Sequence, residues 1–139
     1  MRGERFFDTN VLIYAFAAGD PRSARAEELL ADGGTIGVQV LNEFTNVTRR
    51  KLGWAWPDVD AALVVITELT GPVRPLTADI HTQAVLLARD HALAFYDALI
   101  VAAAVDAGCR VLLTEDLQHG RMLGGVTIRN PFLAREGTD

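Results

Sequence analysis

Apolar positions along the chain alternate between short unbroken runs and longer stretches with helical spacing. Arg5 to Asp8 reads as a short buried strand, and Asn10 to about Ala17 as the helix after it. Asp20-Pro21 marks a helix start, with Asp20 as N-cap and Pro21 in the first position. That helix runs from Arg22 to Ala31 and stops at Gly33-Gly34. Thr35 to Val38 reads as a brief strand. From Gln39 to Leu52, Val40, Phe44 and Val47 recur at offsets of three and four, which predicts a helix ending at Gly53. Pro57 opens another, to about Thr70, before the Gly71-Pro72 break. Val73 to Leu76 gives a weak strand, and Thr77 caps a helix to about Asp90. Tyr96 to Ala107 is an alanine-rich apolar helix stopped by Gly108. Arg110 to Thr114 and Val126 to Arg129 read as strands, whereas Met122 and Leu123 join no element.

Strands that alternate with helices pair in parallel through right-handed crossovers, so the expectation is a three-layer α/β fold around a central parallel β-sheet. No repeat, low-complexity tract or linker interrupts the pattern, and residues 1–139 are expected to form a single domain. In such sheets ligands bind outside the carboxyl ends of the strands. Asp8 and Asp116 both fall there.

Composition narrows the setting. Half of the residues are hydrophobic, yet the longest apolar runs, Val11 to Ala18 and Ala98 to Val105, are too short to span a bilayer. Glu4 and Asp8 interrupt any signal-peptide pattern, and Cys109 has no second cysteine to pair with, so a cytoplasmic protein with no membrane partner is expected. A net charge of −5 argues at first against nucleic acid. Phosphate binding, however, depends on local basic surface more than on the total, and Arg49-Arg50-Lys51, Arg22, Arg25, Arg121 and Arg129 offer such surface. For any single one of them a solvated face is the somewhat stronger reading.

Four acids change the picture: Asp8, Glu43, Asp97 and Asp116. Asp8 suits a helix N-cap, and Asp97 a first-turn acid complementing the helix dipole. Asp97 nevertheless sits between Phe95-Tyr96 and the apolar stretch from Ala98, where an unpaired carboxylate is costly. Glu43 borders the Val40/Phe44/Val47 stripe, facing either an arginine or a polarised water. Thr114 and Asp116 share one side of an extended segment, and Glu115 faces the other. Two unit charges ~4 Å apart repel by ~4 kcal/mol at an effective dielectric of 20. Four converging acids therefore need cations.

Oxygen-only donors suit Mg²⁺ or Mn²⁺. His81, His91, His119 and Cys109 lack zinc-ligand spacing; His81 and His91 fall on a helix surface, and His119 lies in a loop from which it could approach a substrate phosphate. No Walker loop, dinucleotide-binding glycine turn or nucleophile elbow is present. Hydrolysis by a metal-activated water is the chemistry that remains.

Four segments recur in a known order: Phe7-Asp8-Thr9-Asn10-Val11-Leu12, Val38-Gln39-Val40-Leu41-Asn42-Glu43-Phe44, Tyr96-Asp97-Ala98-Leu99-Ile100 and Leu113-Thr114-Glu115-Asp116-Leu117. From Phe6 to about Pro131 the chain resembles PIN-domain ribonucleases, particularly the VapC-like toxins of bacterial and archaeal toxin–antitoxin pairs. The resemblance implies a Mg²⁺-dependent endoribonuclease with Asp8, Glu43, Asp97 and Asp116 as the catalytic acids. Asp8, Asp97 and Asp116 would be metal ligands, and Glu43 would bind metal through water or orient the attacking water. Thr114 would support this shell, and Asn10 would help hold Asp8. It also implies an RNA substrate, a cognate antitoxin and a homodimer. Trp54 and Trp56, around the Gly53 and Pro57 breaks, suit an interface and suit core packing equally well. One departure stands out: many relatives carry a further acid two residues beyond Asp116, where this chain has Gln118. That puts a second stably held metal in doubt and leaves a non-cleaving PIN-like RNA- or protein-binding module as the alternative. A phosphotransfer domain built on Asp8 is disfavoured by Asn10, where a second aspartate belongs, and by the single lysine, Lys51, far from a late strand end.

Overall fold

The computed structural model describes residues 4–133. Strand β1 (Arg5–Phe7) leads into helix α1 (Thr9–Ala15), followed by α2 (Ser23–Asp32), α3 (Val38–Arg50), α4 (Trp56–Thr70), α5 (Ala78–His91) and α6 (Phe95–Asp106). Three strands close the fold: β2 (Val111–Leu113), β3 (Met122–Leu123) and β4 (Val126–Arg129). Sheet order is β1-β2-β4-β3. The first three of these run parallel, with Phe6 opposite Leu112 and Leu112 opposite Ile128.

Side-chain alternation divides the sheet into two buried faces. Phe6, Leu112 and Ile128 are fully buried. Phe6 looks toward α6: a Cβ on Gly37 would stand 3.4 Å from the Phe6 ring and 3.9 Å from Ala103. Helix α6 is buried continuously from Ala98 to Ala104, as befits a helix held between the sheet and α5. On the opposite face Arg5 reaches α2, donating from Nη2 to the Leu29 carbonyl at 2.7 Å and from Nε to that of Gly33 at 3.0 Å. The approach is close enough that a Cβ on Gly34 would fall 2.6 Å from the Phe7 ring, so a glycine is required there. Helix α1 packs against α2 and α3, and α4 packs against both of the latter. The three-layer α/β expectation holds.

Local differences have local causes. Thr35 to Val38 and Val73 to Leu76 contribute only single parallel bridges, Phe6 to Thr35 and Gly37 to Arg74. Helix α3 begins directly after Gly37, and Pro72 and Pro75 lack the N–H groups a longer ladder needs. Asp20 does not cap α2 as expected. Its Oδ1 accepts the Arg22 N–H at 2.8 Å, folding Pro21 and Arg22 into a turn, and the helix starts at Ser23. Strand β3 is antiparallel to β4 across Gly124-Gly125, whose φ values of 58° and 86° fit a two-residue primed hairpin turn. Among the described residues no helix is long and apolar enough to cross a membrane.

Candidate functional site

Because β1 and β2 are parallel and adjacent, the residues that follow them emerge at one sheet edge. Asp8 follows β1 and caps α1, with its carboxylate accepting the Thr9 N–H at 2.7 Å. Asp116 lies in the loop after β2, Asp97 in the first turn of α6 and Glu43 within α3. At this edge the four acids form one electrostatically linked group. Asp116 and Glu43 both act on Asp8, Asp97 and Asp116 act on Glu43, and Asp116 acts on Asp97.

Thr114 and Thr9 fasten the cluster. Thr114, fully buried, donates its hydroxyl to Asp8 Oδ2 at 2.7 Å and accepts the Asp116 N–H at 3.0 Å. One hydroxyl thus ties together the loops that leave two strands. Thr9 donates Oγ1 to Glu43 Oε1 at 3.2 Å, and Gln39 Nε2 reaches Glu43 Oε2 at the same distance. Sequence reasoning overlooked both of these supports. The signal for Gln39 was its position four residues before Glu43 on one helix face. Thr9 shows its role only once α1 and α3 are brought together.

Burial dominates the electrostatics. Asp8 is 4% exposed, and its pKa is pushed up to about 7 by loss of hydration. The hydrogen bonds from Thr114 and Thr9 oppose that rise, while Asp116 and Glu43 add to it. Burial also raises Glu43, against the pull of the Gln39 and Thr9 hydrogen bonds and with repulsion from Asp97 and Asp116. Asp97 is raised by burial and by Asp116. Among the described residues none of the four forms an ion pair.

Other expectations fare differently. Glu115 does face away from Asp116, into Arg22 and the Tyr14 hydroxyl. Asn10 does not hold Asp8. Its amide oxygen and nitrogen are buried without a hydrogen-bond partner. His119 accepts the Asn130 N–H on Nδ1 at 3.0 Å and lines a cleft of about 210 Å³ with Arg5, Arg25 and Arg129. Gln118 is exposed. Trp54 packs into the core through Phe16 and Phe44, whereas Trp56 is exposed. Among the described residues no three acidic, histidine or cysteine side chains stand close enough to hold a metal ion as they are placed.

The carboxylates therefore match a hard divalent cation in donor type and in unneutralised charge, with a spacing looser than a closed metal shell. The Asn10 amide is a second buried polar group that the described residues leave without a partner.

No curated protein sequence matches the chain. Among solved structures, it is similar to VapC20 of Mycobacterium tuberculosis, a Sarcin-Ricin loop cleaving toxin. That match has a TM-score of 0.62 and 26% identity over 81% of this chain and 91% of that one. A toxin–antitoxin complex from Klebsiella pneumoniae matches with a TM-score of 0.69 and 22% identity over 92% and 98% of the two chains. VapBC2 from Rickettsia felis, bound to a DNA fragment from its promoter, matches with a TM-score of 0.64 and 19% identity over 91% and 97%. The PIN domain family model matches residues 5–122, nearly the whole described fold and all four acids, and the chain belongs to the PIN domain family.

Proposed function

We propose that this chain is a Mg²⁺-dependent endoribonuclease, with Mn²⁺ as an alternative ion, and that it acts as the toxin of a toxin–antitoxin pair. The observation that carries the reading is a set of four acids at the carboxyl edge of a PIN-domain sheet, none of them in an ion pair among the described residues. Asp8, Asp97 and Asp116 would hold the ion. When bound, it supplies acidification of a water and neutralises charge on the phosphoryl oxygens.

The chain's own residues divide the remaining work. Thr114 fixes Asp8 and Asp116 relative to each other through its two hydrogen bonds. Glu43, half-buried and with raised proton affinity, is held by Thr9 and Gln39 to orient the attacking water and take its proton. Water oxygen bonds to phosphorus as the bond to the leaving ribose oxygen breaks, and that oxygen takes a proton from solvent water and leaves as a hydroxyl.

The likeness to toxin–antitoxin complexes supports an antitoxin partner. Exposed apolar residues on α4 (Val64, Val65) and α5 (Val85, Leu86) offer surface for that partner and for a homodimer. Action on RNA would fit a cytoplasmic location. A non-cleaving RNA- or protein-binding module is the second reading, favoured by Gln118 and by the open spacing of the acids.

Purified chain incubated with transfer, ribosomal and messenger RNA should cut in Mg²⁺ or Mn²⁺ and stop with chelator. Binding of RNA without cleavage in either ion, unaffected by chelator, would select the second reading.

A further inference from the structure

Helix α3 carries a second stripe, of which the catalytic reading uses only Gln39. Its buried side is formed by Val40, Phe44 and Thr48. On the other side Gln39, Asn42, Asn46 and Arg50 recur at helical spacing. Two open clefts of about 470 Å³ each lie along this stripe. The first runs from Glu43 and Tyr96 to Asn42 and Asn46, and the second continues from the same two asparagines to Arg49, Arg50 and Trp56. They form one track that begins at a proposed catalytic acid.

The chemistry of the track is unusual for a plain solvated helix face. Asparagine is a weak helix former, and two of them occupy positions lining the clefts where Ala, Glu or Lys would favour the helix more. Asn46 has no side-chain partner among the described residues, and Asn42 has only a long 3.4 Å contact to Gln39. Tyr96 at 64% and Trp56 at 54% are the two exposed aromatic side chains of the described residues, and they stand at opposite ends of the track. Arg49 lies over the Trp56 ring, 4.3 Å from its centroid, and donates to the Trp54 carbonyl at 2.6 Å, which holds the indole in place. Arg50 and Lys51 follow without a carboxylate partner among the described residues, although the chain as a whole is acidic.

Aromatic faces, paired donor–acceptor amides and one basic end together fit one ligand class. We propose that this track is a subsite for unpaired, single-stranded RNA next to the scissile bond. Tyr96 and Trp56 stack bases, Asn42 and Asn46 hydrogen-bond base edges, and Arg50 and Lys51 meet phosphate. Splayed bases stack on aromatic side chains in this way, whereas a duplex keeps its bases stacked on each other. From Glu43 to Arg50 the helix rises ~10 Å. At ~3.4 Å per nucleotide of a stacked strand, that accommodates about three nucleotides.

The proposal rests on the nuclease reading only for the role of Glu43, and the test separates the two. Binding of a short random-sequence single-stranded RNA, and of a duplex, is measured by fluorescence anisotropy on the Asp97→Asn chain. Cleavage is followed in parallel with Asp97 intact. The single strand should bind better than the duplex. Trp56→Ala should weaken it by about tenfold and Asn46→Ala by less, and Trp56→Phe should restore most of the loss. In cleavage, Trp56→Ala should raise KM by a similar factor and leave kcat unchanged, because the ring does not touch the reacting phosphate.

If Trp56→Ala and Asn46→Ala bind and cut like their parents, or if the duplex binds as well as the single strand, the track is overturned and the nuclease reading stands. Loss of binding in Trp56→Ala in a chain that never cuts RNA supports the track and moves the protein to the binding-module reading. A chain that neither binds nor cuts RNA overturns both.

Discussion

Glu115 and Asp116 are neighbours in one loop, yet their surroundings differ completely. Glu115 accepts from Arg22 Nη1 at 3.1 and 3.3 Å and from the Tyr14 hydroxyl. Arg22 in turn grips Asp20 at 2.9 Å and lies 3.8 Å from the centroid of the Tyr14 ring. The knot shifts its members as paired charges should. Arg22 holds Asp20 down to about 2, and burial together with Glu115 pushes Tyr14 up to about 12. It fastens α1, the turn before α2 and the loop after β2. Among the described residues Asp116 receives only the anchoring of its own N–H by Thr114, and its carboxylate forms no ion pair. The fold thus neutralises the acid on one side of the segment and leaves bare the one that faces Asp8, Glu43 and Asp97. Charges that the fold completes by itself serve stability, and those it leaves open await something from outside.

The comparison breaks most visibly in activity. Asp97→Asn or Asp8→Asn should lower RNA cleavage by about a hundredfold or more, the scale of losing a charge-stabilising group at a reacting centre. Glu115→Gln, one residue from Asp116, should keep most of it. Initial rates on one RNA in Mg²⁺, with growth inhibition on expression as a second readout, decide the matter. A loss in Glu115→Gln as large as that in Asp97→Asn would erase the distinction.

A large effect on stability is expected at Asp8, and it depends on pH. Its pKa is raised in the folded state, so the native protein binds a proton more tightly than the unfolded chain does. That contribution is present at low pH and is lost as pH rises from about 4 to about 7. A rise of that size corresponds to ~4 kcal/mol. In chelator, Asp8→Asn should therefore gain stability over the parent across this window and hold the gain above it. Mg²⁺ should raise the parent's Tm most at the alkaline end, where the carboxylate is ionised. Calorimetry against pH, with and without metal, measures both trends, and a constant gap between the two proteins would contradict the burial argument.

Thr114 sharpens the same comparison from the side of the scaffold. Thr114→Val keeps the shape but removes the donor to Asp8 and the acceptor for the Asp116 N–H, at a cost of about 1–3 kcal/mol. Its hydrogen bond favours the ionised form of Asp8, so its loss should move the acidic limb of the cleavage–pH profile to higher pH. Thr114→Ser should restore that limb. A lowered Tm with an unmoved pH profile would reduce Thr114 to packing.

The layout of the acids was legible because each stood at a position the chain marks strongly: the end of a buried strand, the start of an apolar helix, the rim of an apolar stripe. Parallel pairing of β1 with β2 then had to bring Asp8 and Asp116 to one edge. What escaped depended on contacts between segments distant in sequence. Thr9 meets Glu43 only after α1 and α3 pack, and Arg22 meets Glu115 only after α2 lies beside the loop that follows β2. Asn10 was misplaced for a related reason. Closeness to Asp8 along the chain says little about side-chain direction once a helix begins between them. Strand β3 has two residues and little hydrophobic pattern, but Gly124-Gly125 was a readable hairpin signal.

The smallest expected effect lies in the knot itself. The side chains of Arg22 and Glu115 are 38% and 22% exposed, so water and salt screen part of their attraction. Arg22→Met keeps the apolar stem over Tyr14 and removes the guanidinium, with an expected cost of ~1 kcal/mol. A drop in Tm of several degrees should accompany it at low salt. The difference should shrink in concentrated salt, because the lost interactions are mainly Coulombic. Cleavage of RNA should be retained, since none of the four open acids touches Arg22. The informative readout is the pairing of the two measurements. If Arg22→Met lost cleavage while keeping its Tm, the knot would belong to the chemistry, and the division between closed and open charges would have to be redrawn with Glu115 on the catalytic side.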